Sequence, residues 1–310
     1  MSSDAILNEL LAAIKMPFFP HDGKTAFVGI NANEVLASTL VPGLHIEPEQ
    51  LEDGISARIH VEPGTTLEKP VHLCFGMVGE SGIQRINLDV DIGEDATAQF
   101  MAHCVFPKAT DIQHIMDADI RVGARATYVY FERHIHGRDG GVTVKPTARV
   151  HVAEDARFST EFELIRGRVG IIDIDYETRV EARGVLEMTA RISGRGDDRI
   201  TIRETGDLLG EEARGVLTSH IALRDNAYGE VYNDLRARAP HARGHVDCTE
   251  IVQGNAVARA VPIVQVDHPQ AHVTHEAAIG SVDSKQLQTL MSRGLCEEDA
   301  TEMIIDGLLS

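Results

Sequence analysis

The chain has no tryptophan, and its 5 tyrosines and 9 phenylalanines are thin for 310 residues. A core short of large rings must be built from Val, Ile, Leu and Ala, as narrow stacked strands require. Cysteine is as scarce. Cys74, Cys104, Cys248 and Cys296 lie far apart, and no Cys-x-x-Cys pair occurs. That argues against a zinc knuckle or ferredoxin-type site within one chain, and for free thiols. Lysine and arginine number 29 against 48 acidic residues, for a formal net charge of −19. Such a surface repels phosphate, so nucleic acid and anionic membranes are not expected partners. No run reaches the ~18 apolar residues a membrane span needs. Residues 1–15 lack a basic start. Their apolar Ile6, Leu7, Leu10, Leu11 and Ile14 follow helical spacing, which predicts a short N-terminal helix rather than a secretory signal. A cytoplasmic location is expected. No Gly-rich segment fits the Walker pattern, so a P-loop nucleotide site is not expected in this chain.

What the chain does have is self-similarity. IGEDATAQFMAHCVF (92–106), VGARATYVYFERHI (122–135) and VAEDARFSTEFELI (152–165) share an acidic or glycine corner, a small residue and an alternating strand. VEARGVLEMTARIS (180–193) and GEEARGVLTSHIAL (210–223) repeat the theme. The small residue recurs at Ala96, Ala126, Ala156, Gly184 and Gly215, a nearly constant step. A shorter beat follows at Gly229, Gly244, Ala258 and His272, so about two strands fit each longer step. Alternation is clean: Phe158, Phe162 and Leu164 oppose Arg157, Glu161 and Glu163, and Leu186, Met188, Ala190 and Ile192 oppose Glu187 and Arg191. Half-buried strands at a fixed interval, with no helices between them, predict a β-solenoid. A β-sandwich explains the strands but not the steady step. A hexapeptide helix would place an apolar residue at every sixth position, which this chain does not.

The ends differ from the middle. The pattern divides the chain into an N-terminal helix and irregular β region (1–90), a solenoid core (91–280) and a helical hairpin (281–310). In SKQLQTLMSR the apolar Leu287, Leu290 and Met291 follow a cap at Asp283 or Ser284. CEEDATEMIIDGLLS carries acids in its first turn and apolar Met303, Ile304, Ile305 and Leu308. Any solenoid needs a cap on its open edge, and the hairpin could serve as one.

HEAAIGSVDSKQLQTLMSRGLCEEDATEMIIDGLL (275–309) closely resembles the C-terminal signature of the SufB/SufD family. RDNAYGEVYNDLRARAPHARGHVDCTEIVQGNAVARAVPIVQV (224–266) resembles the family segment before it, where a strand with one cysteine precedes a Pro-containing strand. The likeness covers about the last third of the chain. It implies a right-handed parallel β-helix with a C-terminal helical domain. It also implies a scaffold that builds iron–sulfur clusters and passes them to apo recipient proteins. Two such subunits pair through their last β-helix strands, and each helical domain holds an ABC-type ATPase, SufC. A chain this short, with both the cysteine and the His-Glu pair, looks like a minimal member working as a homodimer. The chain departs from typical SufB in two ways. Cys248 is followed by Thr249 and Glu250 instead of an aspartate, and the tryptophan-rich strand linked to sulfur entry is missing.

The resemblance makes Cys248, Glu276 and His275 the candidate ligands of a transient iron–sulfur cluster, [4Fe-4S] being one type it could hold. Thiolate is the preferred ligand, with carboxylate or imidazole a harder and more labile partner. By pattern alone, Cys248 among apolar neighbours reads as packing. Adjacent strand residues point apart, so Glu276 is the expected ligand and His275 its substitute. Both follow the cysteine by close to two of the short steps, which brings them near the column of Cys248, a couple of strands along. One chain offers too few ligands, and a two-fold axis doubles the set. Leu287, Leu290, Met291, Met303, Ile304 and Leu308 are the expected ATPase-binding residues.

His134 and His136, two apart, form a possible metal pair but read as an exposed hairpin edge before GRDGG. Cys104, beside His103, is the alternative thiol for receiving sulfur and otherwise packs. Cys296 links the last helices, and Cys74 reads as core. The rival functions are a β-helix enzyme acting on polysaccharide and a metal-free structural solenoid. The first would need paired carboxylates or calcium ligands in an open groove. Neither accounts for the C-terminal helices.

Overall fold

The computed structural model describes residues 2–16 and 22–309. A helix, α1 (Ser3–Ala13), comes first. The strands are, in order, β1 (Phe27–Asn31), β2 (Glu34–Thr39), β3 (Leu44–Gln50), β4 (Gly54–Val61), β5 (Val71–Gly76), β6 (Ser81–Ile92) and β7 (Thr97–Phe106). Then come β8 (Asp111–Val122), β9 (Thr127–His136), β10 (Val142–Val152), β11 (Arg157–Leu164), β12 (Gly170–Val180) and β13 (Val185–Gly194). The last are β14 (Arg199–Leu208), β15 (Arg214–Leu223), β16 (Tyr228–Ala237), β17 (Arg243–Val252), β18 (Val257–Val266) and β19 (His272–Ser281). Two helices, α2 (Ser284–Met291) and α3 (Glu297–Leu308), close the chain.

From β4 onward successive strands go to opposite sheets. Odd strands β5 to β19 extend a first sheet of 10 strands, and even strands β4 to β18 a second sheet of 9. The result is the expected mainly β architecture, a solenoid of about 8 turns. Thr127 of β9 pairs with Arg157, which pairs with Val185, then Arg214, then Arg243, a nearly even advance from one pairing to the next. The period read from the sequence is therefore a physical turn. One position was miscounted: the residue that follows Gly184 in the corner column is Ala213, while Gly215 lies inside β15 opposite Leu186.

The corner explains the recurring motif. Asp95, Arg125, Asp155, Arg183, Glu212 and His241 each take the left-handed conformation, with φ of 57–59°. That conformation costs a residue other than glycine roughly 1–2 kcal/mol. Stacking offsets part of the cost, because charges alternate down the column. Arg125 Nε donates to Asp95 across 2.7 Å, and Arg183 Nε to Asp155 across 2.7 Å. The next residue, Ala96, Ala126, Ala156, Ala213 or Ala242, is buried where the chain turns inward.

Stacking reaches back into the stretch before residue 91. β1 pairs in parallel with β5, and β4 with β6. Antiparallel β2 and β3 then close the two sheets at that end. Helix α1 packs Leu10 and Leu11 on the outer face of the first sheet, over Phe27, Cys74, Val78 and Val105. At the other end α3 lies along the side of the first sheet and not across the open end. Ile305 and Leu309 pack on Ala222 and Ile165, and Glu302 accepts from Arg195 and Arg224 at 2.6 and 2.5 Å.

Leu186 is fully buried mid-solenoid, while neighbouring Glu187 faces solvent. Leu186→Ala should cost about 2–5 kcal/mol. Glu187→Ala should cost less than about 1 kcal/mol, the range of an exposed ion pair. Urea titration monitored by circular dichroism checks this, and similar midpoint shifts for both variants would contradict the inside–outside division.

Candidate functional site

Cys248 stands on β17, one strand from the end of the first sheet. Its side chain points into the solenoid, on the face of Val246 and Glu250, and is fully buried. Asn233 Nδ2 donates to Cys248 Sγ at 3.7 Å and to Ser219 Oγ at 3.4 Å. Ser219 is the register neighbour of Cys248 on β15. Burial pushes the thiol up to about 11 despite these polar neighbours. Glu250 also points inward, and neither of its carboxylate oxygens has a hydrogen-bond partner among the described residues. Burial first, then the charge of Asp247, raises its carboxyl to about 7. Glu204 lies on the facing sheet in register with Asn233, and burial raises it to about 8. Together these residues form a buried polar cluster of thiol, amide, hydroxyl and two acids inside the final turns.

β19 lies directly beside β17. Val246 is opposite His275, Asp247 opposite Glu276, and Cys248 opposite Ala277. His275 therefore shares the inner face with Cys248, and Glu276 shares the outer face with Asp247. Within one chain the sheet brings His275, not Glu276, to the side of the thiol. The expected three are thus on neighbouring strands, but not all on one face. Glu250 was missed by sequence reasoning. The signal was available: residues two apart on a strand share a face, and Glu250 is two from Cys248.

β18 and β19 are the last strands of their sheets, so among the described residues one edge of each has no partner strand. They expose Val257, Ile263, Val266 and Ile279. On the flank, a groove of about 720 Å³ runs between Ile251 and the two helices, lined by Leu290, Met303, Ile304 and Leu308. Met291 and Met303 are exposed at 41% and 52%, and Leu287 is half-buried. Cys296 is exposed and caps α3, its Sγ accepting from Asp299 N at 3.4 Å. Cys74 is buried beneath α1, as a core residue.

A second polar cluster lies nearer the N-terminal end. His134 and His136 were expected at an exposed edge, and the structure corrects this. The β9 alternation turns Tyr128, Tyr130, Glu132, His134 and His136 inward, so the histidines are buried although a polar turn follows them. Cys104 is the register neighbour of His134 and sits in the same interior. The ligand atoms of Cys104, Glu132 and His134 lie within 4.8 Å of one another. Cys104 Sγ is 3.8 Å from Glu132 Oε1, and His134 Nε2 is 2.7 Å from the same oxygen. Burial raises the Cys104 thiol and the Glu132 carboxyl and lowers His134 to about 3. Five strand steps separate Cys104 on β7 from Cys248 on β17, about 24 Å at ~4.8 Å per step. The two thiols cannot bind one ion.

Residues 76–308 match the model of the SufBD core domain, described as SUF system FeS cluster assembly. The chain belongs to the SufBD family of iron–sulfur cluster assembly proteins. It is 36% identical to an iron–sulfur cluster assembly SufBD family protein of Methanocaldococcus jannaschii, over 100% of this chain and 99% of the relative. A similarly named protein of Pyrococcus horikoshii is 34% identical over 92% of this chain and 87% of its own length. The iron–sulfur cluster assembly protein SufB of Bacillus subtilis is 23% identical over 81% of this chain, but only 54% of that protein is covered. No helix among the described residues is long and apolar enough to cross a membrane.

Glu204 makes the stability of this SufBD chain depend on pH. Its carboxyl is raised in the folded state from an ordinary 4.5 to about 8. Between those values the folded chain holds a proton that the unfolded chain has lost. Stability therefore falls as pH rises through this window and levels off above it. Glu204→Gln should flatten that fall. Denaturant midpoints from pH 5 to 9 measure it, and an unchanged slope in the variant would remove Glu204 as the cause.

Proposed function

We propose that the chain is a scaffold subunit on which iron–sulfur clusters are assembled and from which they are transferred to apo recipient proteins in the cytoplasm. ATP hydrolysis belongs to a SufC-like ABC-type ATPase seated on the C-terminal helices. Two copies pair through β18 and β19, and the cluster is their shared cargo. The observation that carries this reading is the position of Cys248, one strand inside an unpaired solenoid end, with unpartnered Glu250 beside it and His275 on the same face. A two-fold axis at that end would bring two thiols and two sets of harder ligands toward one place. Edge pairing would also satisfy the backbone groups left open on both sheets.

The ligands proposed are Cys248 from each copy, with His275 ahead of Glu276 as the harder partner because it shares the thiol's face. A harder ligand exchanges more readily, as release of cargo requires. Anaerobic reconstitution followed by iron and sulfide counting tests the assignment. Cys248→Ser should lose most of both while circular dichroism stays unchanged, and His275→Ala should lose more than Glu276→Ala. A full cluster on Cys248→Ser, with loss on Cys104→Ser, would move the site elsewhere. The reverse order of the other two variants would return the ligand role to Glu276.

The helices and the edge carry their own test. Met291 and Met303 are exposed, so a Met291→Asp, Met303→Asp double variant should fold normally yet fail to co-purify with the ATPase. Retained binding would exclude the hairpin as its seat. Light scattering at micromolar concentration should give a dimer, and a monomer with and without the ATPase would count against pairing through β18 and β19.

A further inference from the structure

The cluster around Cys104 takes no part in the cargo site just described, and packing does not explain it. Two of its polar atoms, Glu132 Oε2 and His114 Nε2, are buried with no hydrogen-bond partner among the described residues. Leaving such atoms buried and unpaired is costly, because the water they lost is not replaced. An apolar pair would have filled the same space without that cost. His114 comes from β8 on the opposite sheet, and its ring centroid is 5.8 Å from that of His134. His114 thus faces the cluster from the opposite wall, beside the three residues whose ligand atoms lie within 4.8 Å of one another.

The hydrogen bonds fix the tautomers in the form that binds metal. The Arg168 carbonyl can only accept, so His136 Nδ1, 3.2 Å away, carries a proton and donates to it. Neutral His136 then has its lone pair on Nε2, which accepts from His134 Nδ1 at 3.1 Å. His134 Nε2 is then left with its lone pair facing Glu132 Oε1 at 2.7 Å, so the proton in that contact comes from Glu132 and is displaced when an ion binds. A second chain acts on His114. Gln84 Nε2 donates to the carbonyls of Ala32 and Gly76, both at 3.0 Å, which turns Gln84 Oε1 toward His114 Nδ1 at 3.1 Å. That leaves the His114 lone pair on the unpartnered Nε2. Metal-ligating histidines are held in this way, one ring nitrogen donating to the protein and the other free to coordinate.

We propose that Cys104, Glu132 and His134, with His114 as fourth donor, bind a single divalent transition-metal ion inside the solenoid. One sulfur, one oxygen and two imidazole nitrogens suit zinc or ferrous iron in a four-coordinate site, and disfavour calcium or magnesium. A thiolate and a carboxylate together balance the charge of a dication, which a buried site requires. The ion would satisfy the Glu132 and His114 atoms that the protein leaves unpaired. His136 also borders a surface cleft of about 530 Å³ with Ile14, Lys15 and Arg133. The His134–His136 side is thus the short way out.

Cobalt(II) reports the ligand set directly. The full chain is produced in cobalt-supplemented minimal medium, so that it can fold around the ion. Purified protein should contain one cobalt per chain, with a thiolate-to-cobalt charge-transfer band and the visible bands of four-coordination. Cys104→Ser should lose the charge-transfer band. Glu132→Gln and His134→Gln, which keep the side-chain volume nearly constant, should weaken retention against a chelator at least about tenfold. Cys248→Ser should change nothing, which separates this site from the cargo site. Elemental analysis of protein grown anaerobically without cobalt then tells zinc from iron. The proposal fails if wild-type protein shows no thiolate band, if the band survives in Cys104→Ser, or if Cys248→Ser alone removes it. Should Cys104→Ser not fold, unchanged retention in Glu132→Gln and His134→Gln would overturn it equally.

Discussion

In-register stacking of parallel turns is the interaction on which the rest depends. Each turn places its inner residues directly above those of the turn before, at a nearly constant step along the chain. The two sheets enclose a narrow space filled by single layers of side chains. A residue that points inward cannot reach water, so its chemistry is settled by its neighbours on adjacent turns and on the opposite wall. Most inner columns are accordingly Val, Ile, Leu and Ala. Most of the ionisable exceptions gather in two places, around Cys104 and around Cys248.

Those two places sit under different constraints. Around Cys104 the interior is covered by further turns on both sides, and burial raises the thiol and the carboxyl and lowers the imidazoles. Around Cys248 the covering ends one strand later. Burial still raises the thiol to about 11 and the Glu250 carboxyl to about 7. A cargo that must enter and leave needs such an end. An ion that stays suits the closed interior. The same fold can offer both because its environment changes along the stack while its geometry does not.

Much of the fold was legible in the sequence because alternation and turn length are local properties. Phe158, Phe162 and Leu164 could be placed inside from spacing alone, and the N-terminal helix from the positions of Leu10 and Leu11. The errors also have local causes. His134 and His136 precede a polar turn, and weight given to that turn outvoted the strand's own parity. Gly215 imitates a corner residue because the motif slips by two places beside it. Cys248 came from resemblance, since its apolar neighbours suggest only packing. Glu250 needed no resemblance, only the rule that alternate residues share a face. The convergence of Cys104, Glu132 and His134 could not be read directly, because it depends on the register between whole turns and on a facing wall.

The acidic surface is compatible with this architecture because its charges are paired across turns. Arg149 meets Asp119 at 2.9 Å, Arg157 meets Glu187 at 2.6 Å, and Arg191 meets Glu161 at 2.8 Å. Each exposed pair contributes little alone, about 0–1 kcal/mol. Their larger effect is on register. A turn slipped by one residue would set its apolar face beside the charged face of the next turn and break these ion pairs. The charge ladder thus disfavours slipped stacks that hydrophobic burial alone would tolerate near the ends. That matters most at the last turns, where Cys248 is in line with Ser219 and Ala277, because a slip there would turn the thiol outward and dismantle the proposed cargo site without unfolding the chain.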